Sequence, residues 1–368
     1  MSKNSPKPAF MVEFPTTELD EACGMKLWYS TFEGGRGIVR KEDVVKRAIN
    51  QQIHADLRSI ALMNDIRAGA IKELVDDILH PLTPEDRKDQ AKMELLYRRI
   101  GWFVAFALFK EPDIREKYET IPIDSETILD RESLYVVAYP DRVLKAKGLD
   151  EISYREYVPM PSGVMPKRWL ESWLYNMRLH VGMAAAAEDI HQKVDFGMVM
   201  GLFEGYPSIV DGRLVHPYVW AYYNGKNEWS TCIRGDGNTW LPAPIWQYPG
   251  GIVQWVKTCG KGVADSQFPF SPPVTLNKTV LDSWMAKRLH REREIRSIQE
   301  ICHVNPYLRS TYFERRTAQC QPGYGESCPF AKMCWAPKPV LQPLKDGEFV
   351  PNLLQQVEIK VGEVVQQL

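Results

Sequence analysis

Three cysteines near the end of the sequence constrain this chain more than any other stretch. Between Tyr312 and Trp335, YFERRTAQCQPGYGESCPFAKMCW sets Cys320, Cys328 and Cys334 in a C-x7-C-x5-C array. A closed soft-metal site takes four ligands, so any fold built around the array must bring in one more. Cys302 is near enough in sequence to be that ligand. The chain has 7 cysteines, an odd number, and its first residues, MSKNSPKPAF, lack the apolar core of an export signal. Both features read against a disulfide framework and leave thiols for metal. Cys232, Cys259 and Cys302 otherwise read as small buried hydrophobes.

Charge is balanced, with 46 Lys and Arg against 47 Asp and Glu over 368 residues, so any basic surface must be local. One candidate lies between Met285 and Arg316, where Lys and Arg outnumber Glu two to one. Such a run ordinarily forms a solvated face, and its place just before the cysteine array makes a DNA-backbone contact the alternative. The longest apolar stretches, such as GWFVAFALF, are too short to cross a bilayer, and a soluble, cytoplasmic protein is expected.

Along the chain, residues 1–13 read as a tail, and Thr16 or Thr17 as the cap of a helix that buries Cys23. A helix follows from Val44 to Leu79 and includes His54, then a polar and an apolar helix with a loop as far as Thr127. Residues 61–130 are thus expected to form a helical insertion. From Ser133 the apolar alternation SLYVVAYPDRVLKAKG, a turn at Gly148–Asp150 and EISYREYVPM predict a hairpin. A helix from Lys167, with small residues Ala184–Ala187, and a strand at FGMVMGLFEG come next. Then LVHPYVWAYY and GIVQWVKTC read as strands, Lys278–Ile301 as a helix, and residues 337–368 as a tail ending in a strand.

A lone cysteine in TTELDEACGMKLWY, paired with a late trio ending CPFAKMC, resembles the RecB-like iron–sulfur branch of the PD-(D/E)XK nucleases. That branch takes in CRISPR-adaptation exonucleases and phage-encoded exonucleases. The resemblance implies an α/β fold: a restriction-endonuclease-like core, its central mixed sheet flanked by helices. It places segments at 14–60, a core at 131–270 and the cysteine region at 271–336, with a [4Fe–4S] cluster on Cys23, Cys320, Cys328 and Cys334 joining the two ends. Zinc is the alternative occupant, although close C-x2-C pairs are missing from this chain. In such enzymes, carboxylates on adjacent strands hold Mg2+ or Mn2+ and a lysine serves the attacking water. Here Asp141 of Pro140-Asp141 and Glu156 match the carboxylates, and His54 matches a histidine beside the metal. The implied activity is exonucleolytic cleavage of DNA ends or single strands, within a larger recombination, packaging or adaptation complex.

Two positions depart from the family pattern. Where the motif lysine belongs stands Val158, which can neither orient water nor stabilise charge. Strand alternation makes Lys145 the first substitute, with Lys147 and Lys167 behind it. The family's following helix carries Q-x-x-x-Y, and the best matching positions here are Arg178 and Gly182. A catalytically silent nuclease fold that binds DNA or a protein is therefore the rival reading. Tyr307, Tyr312, Phe313 and Tyr324 are candidates for base stacking or for core packing.

Overall fold

The alternation between Leu134 and Pro159 predicts paired strands, and the computed structural model of the chain contains them in two separate sheets. It describes residues 10–13, 38–40, 52–53, 55–61, 68–80, 82–124, 126–131, 134–160, 166–203, 208–210, 213–215, 220–223, 229–230, 241–244, 250–313, 328, 330, 334 and 349–351. The strands are β1 (Phe10–Glu13), β2 (Ile38–Arg40), β3 (Tyr118–Ile121), β4 (Thr127–Arg131), β5 (Leu134–Ala138), β6 (Arg142–Ala146), β7 (Ile152–Pro159) and β8 (Phe196–Leu202). Short strands β9 (Ser208–Val210), β10 (Arg213–Val215), β11 (Trp220–Tyr223), β12 (Trp229–Ser230) and β13 (Leu241–Pro244) follow, then β14 (Phe349–Pro351). The helices are α1 (Ala68–Leu79), α2 (Gln90–Ala105), α3 (Glu111–Lys117), α4 (Pro166–Ser172), α5 (Met177–Asp189), α6 (Gly251–Gln267) and α7 (Lys278–Val304).

The fold is α/β, and its main sheet is mixed, in the order β3-β6-β7-β8. β3 and β6 pair antiparallel, β6 and β7 form the expected hairpin, and β7 and β8 run parallel with α4 and α5 between them in sequence. The hairpin turns at Gly148, whose φ of 77° is open to glycine at little cost. Tyr139 and Pro140 interrupt the apolar run, so β5 leaves the main sheet and lies between β1 and β4. Residues 10–13, expected as tail, form β1 and pair parallel with β5.

α5 lies between the two sheets. Val181, Ala184 and Ala185 pack with β4, β5 and α7, while Leu179, Met183 and Ala186 pack with β6, β7 and β8. A helix apolar all round belongs in a core, and the alanines let both sheets approach. The predicted helix from Lys167 is split: α4 stops before a 3-10 turn at Trp173–Tyr175, and Asn176 caps α5 by accepting from the Arg178 N–H.

The helices of residues 68–117 pack on the main sheet. Trp102, Phe106 and Ala107 share one apolar cluster with Tyr157, Met200, Leu202 and Trp255, so this layer covers the other face of the main sheet. The loop expected before Thr127 contains the edge strand β3. GIVQWVKTC is a helix: Ile252, Trp255 and Val256 are buried at helical spacing, which the β-branched residues had disguised as a strand. α6 bends at Gly260, with φ 79°.

Where α3 meets β6, Arg142 and Glu111 form an ion pair of 2.5 Å, with side chains 2% and 0% exposed. Thr120 accepts a further hydrogen bond from Arg142 at 2.7 Å, and Arg115 also reaches Glu111. Arg142→Ala leaves the buried Glu111 with Arg115 as its one cation among the described residues and is expected to cost about 3 kcal/mol, read as a lower urea midpoint. Arg142→Met with Glu111→Leu, which removes both charges, is expected to cost far less.

α7 docks on α5 through His180, whose Nδ1 accepts from the Asn277 N–H at 3.3 Å, while Asn277 caps α7. Burial pushes the imidazole below its ordinary value. Protons therefore favour the unfolded chain: this contribution is complete above the ordinary histidine value of about 6.5 and fades as pH falls below it. The urea midpoint is expected to drop from pH 8 to pH 5.5, and His180→Gln to remove that part of the slope.

Candidate active site

The β6–β7 hairpin brings two carboxylates together. Arg142 pairs with Arg155, so one step further along the register Asp141 faces Glu156. The Asp141 N–H donates to the Arg155 carbonyl at 3.2 Å, which continues the ladder past the strand end. Its Oδ2 accepts the Tyr157 N–H at 2.6 Å, and its Oδ1 takes Arg58 Nε at 3.0 Å. Arg58 comes from a helical turn at residues 55–61, seated by buried Leu57 and Ile60. Arg99 of α2 anchors that turn by two hydrogen bonds to Asp56.

Glu156 is 1% exposed. A buried carboxylate is costly unless paired. Tyr154, two residues back along the strand and so on the same face, donates its hydroxyl to Oε1 at 2.7 Å. Arg178 Nε lies 2.5 Å from Oε2, as an ion pair outside hydrogen-bond alignment, and Oε2 receives no aligned hydrogen bond. Burial pushes the Glu156 carboxyl above its ordinary range, against the pull of Arg178 and Tyr154. The Tyr154 phenol is raised too, by burial first and then by the Glu156 charge, and stays a donor at neutral pH.

The position matched to the family's helix tyrosine is Gly182. A Cβ there would collide with the ring carbons and hydroxyl of Tyr154. A tyrosine from the strand thus fills the space that a glycine leaves open on α5. Arg178, one helical turn before Gly182, stands over the Trp173 ring at 5.8 Å.

Among the lysines expected near the carboxylates, Lys145 is four residues along β6 from Asp141, about 13 Å by strand rise, and it pairs with Asp150 at 3.0 Å. Strand spacing therefore keeps this residue away from the carboxylates. Lys147 donates to the Arg115 carbonyl, and Lys167 is an exposed side chain near Glu171. Val158 packs in the apolar cluster of β6, β7 and α5. The basic groups touching the carboxylates are instead Arg58 and Arg178. Both escaped the sequence reading as partners. Arg58 is 83 residues from Asp141, with no local signal, whereas Tyr154 was traceable from its two-residue spacing to Glu156.

His54, Cys23 and Cys320 lie outside the described residues. Cys334 is buried and Cys328 half-buried. Among the described residues, no group of three or more His, Cys, Asp or Glu side chains is placed to hold a metal. Cys302 is buried in α7. Tyr307 is exposed and Tyr312 partly so, whereas Phe313 is fully buried and belongs to a core; Tyr324 lies outside the described residues. In the basic run, Arg288 is buried beside Glu292 and Arg291 pairs with Glu294, which leaves less positive surface than the residue count suggests. Among the described residues, no helix is long and apolar enough to cross a membrane.

Gly182→Ala is expected to drive Tyr154 off Glu156 and to cost about 1–3 kcal/mol by overpacking. The check is a thermal melt of the single variant beside Gly182→Ala/Tyr154→Phe, which lacks one of the two clashing groups and recovers part of the loss.

No protein-family model matches the chain, and no curated protein matches it either.

Proposed function

We propose that this chain is a metal-dependent deoxyribonuclease of the RecB-like iron–sulfur type, acting on DNA ends or single strands. The observation that carries the reading is the pair Asp141 and Glu156, facing each other across the β6–β7 hairpin of a mixed sheet. Oε2 of Glu156, buried and facing the Arg178 guanidinium, is an oxygen that a hard cation would share with that arginine. A bound Mg2+ or Mn2+ would polarise the phosphoryl oxygen and acidify the attacking water. The chain's own part is to hold the two carboxylates in place: Arg58 and the Tyr157 N–H fix Asp141, and Tyr154 and Arg178 fix Glu156. His54 is assigned to the metal site in the same reading.

A [4Fe–4S] cluster on Cys23, Cys320, Cys328 and Cys334 belongs to this proposal as a structural clip. The antiparallel pairing of β2 with β14, which joins an early segment to a late one, supports it. The working context is cytoplasmic, within a larger DNA-processing complex.

One observation favours a second reading, a silent nuclease fold that binds DNA or a protein. Both carboxylates are already paired with arginines, and Val158 lies in the lysine's place.

The test starts from anaerobically purified protein, with iron and sulfide analysis followed by digestion of 5′-labelled single-stranded DNA in Mn2+. Cleavage is expected, and Asp141→Ala or Glu156→Gln should reduce it by roughly 100-fold or more. Iron-loaded protein that cleaves nothing, with either Mg2+ or Mn2+, would establish the silent reading.

A further inference from the structure

Resting on that nuclease reading, we propose that Arg178 supplies, from α5, the positive charge that position 158 lacks. Glu156 and Val158 are two residues apart on one face of β7, so a side chain from position 158 would emerge roughly 7 Å from the Glu156 stem. Val158 shares its apolar cluster with Trp173, and the Arg178 guanidinium stands over Trp173. The cation therefore borders the volume into which a lysine at 158 would extend.

Three features suit Arg178 to this role. It sits in the first turn of α5, where the Asn176 cap receives its backbone N–H, so its root is fixed. Its guanidinium is held between Glu156 and the Trp173 ring, which sets its plane. Its side chain is 24% exposed while Glu156 is 1% exposed, so of the two the arginine is the one a phosphate can reach from outside.

An arginine keeps its proton at any working pH, so it cannot serve as the base. In the hydrolysis, water adds to phosphorus, the P–O bond to the leaving oxygen breaks, the water's proton passes to solvent and the leaving oxygen is protonated from solvent. Arg178 stabilises the negative charge that grows on the phosphoryl oxygens during this exchange. Arg58 is set apart from this task because it engages Asp141, the carboxylate on the other strand.

The experiment compares wild type, Arg178→Gln, Arg178→Lys and Arg178→Gln/Val158→Lys on a 5′-labelled oligonucleotide in Mn2+, with a thermal melt of each. Arg178→Gln is expected to lower kcat by roughly 100-fold, with a much smaller change in KM. Adding Val158→Lys should restore at least about tenfold, because it returns a cation to the same volume. A merely structural arginine would not be rescued in this way. The inference is overturned if Arg178→Gln cleaves like wild type, or if the double variant melts normally yet stays as slow as Arg178→Gln. Should Arg178→Gln fail to fold, Arg178→Lys decides: a rate within about tenfold of wild type supports the role, and a normally folded variant slower by about 100-fold overturns it. A wild-type protein that does not cleave in Mn2+ overturns the nuclease reading, and this inference with it.

Discussion

A carboxylate with 1% exposure is the constraint around which this molecule is arranged. Glu156 sits mid-strand in the main sheet, where an ionised group survives only with close partners. Those partners set the neighbourhood. Tyr154 must lie flat toward Glu156, so α5 must present a residue without a side chain, and Gly182 does so. Arg178 must reach the second oxygen, so α5 must begin close by, and the break at Asn176 starts the helix there. One buried charge thus accounts for a glycine inside a helix and for the division of a predicted helix into two.

Much of the fold was legible where the pattern is local. The β6–β7 hairpin, β8 and α7 followed from alternation, a glycine turn and helical spacing. Two features were not legible, for a common reason. The run from Leu134 to Ala146 looks like one strand because both halves are apolar, whereas Tyr139 and Pro140 break it and α5, packed between two sheets, keeps β5 apart from β6. The run from Gly251 looks like a strand because Ile, Val and Trp suit either state, and the choice came from which residues the cluster around Trp102 and Phe106 buries. For the candidate site, both carboxylates were marked in the sequence by their place on facing strands. Their charge partners come from helices 22 and 83 residues away (178 − 156 and 141 − 58), and pairing at that distance leaves no trace in spacing.

The helices before β3 finish one face of the main sheet. The apolar helix covers the sheet, and the turn that follows it sends Glu111 inward to meet Arg142. The two faces of the hairpin are therefore finished differently. One carries Glu156 and Tyr154 toward α5, and the other carries Tyr157 into the cluster with Phe106 at a ring separation of 5.6 Å. Rigidity on that second face holds the first in register, since a slip of one residue would exchange them.

The pairing of β2 with β14 bears on the order in which the molecule is assembled. Val39 meets Val350, and 350 − 39 sets them 311 positions apart. At a synthesis rate of roughly 5–20 residues per second, the early strand waits roughly 15 to 60 seconds before its partner exists. For that interval β2 is an edge with unpaired backbone groups, open to any other extended chain in the cell. Residues 349–351 are then the segment that closes this edge, so the making of that strand and the protection of the early one are a single event.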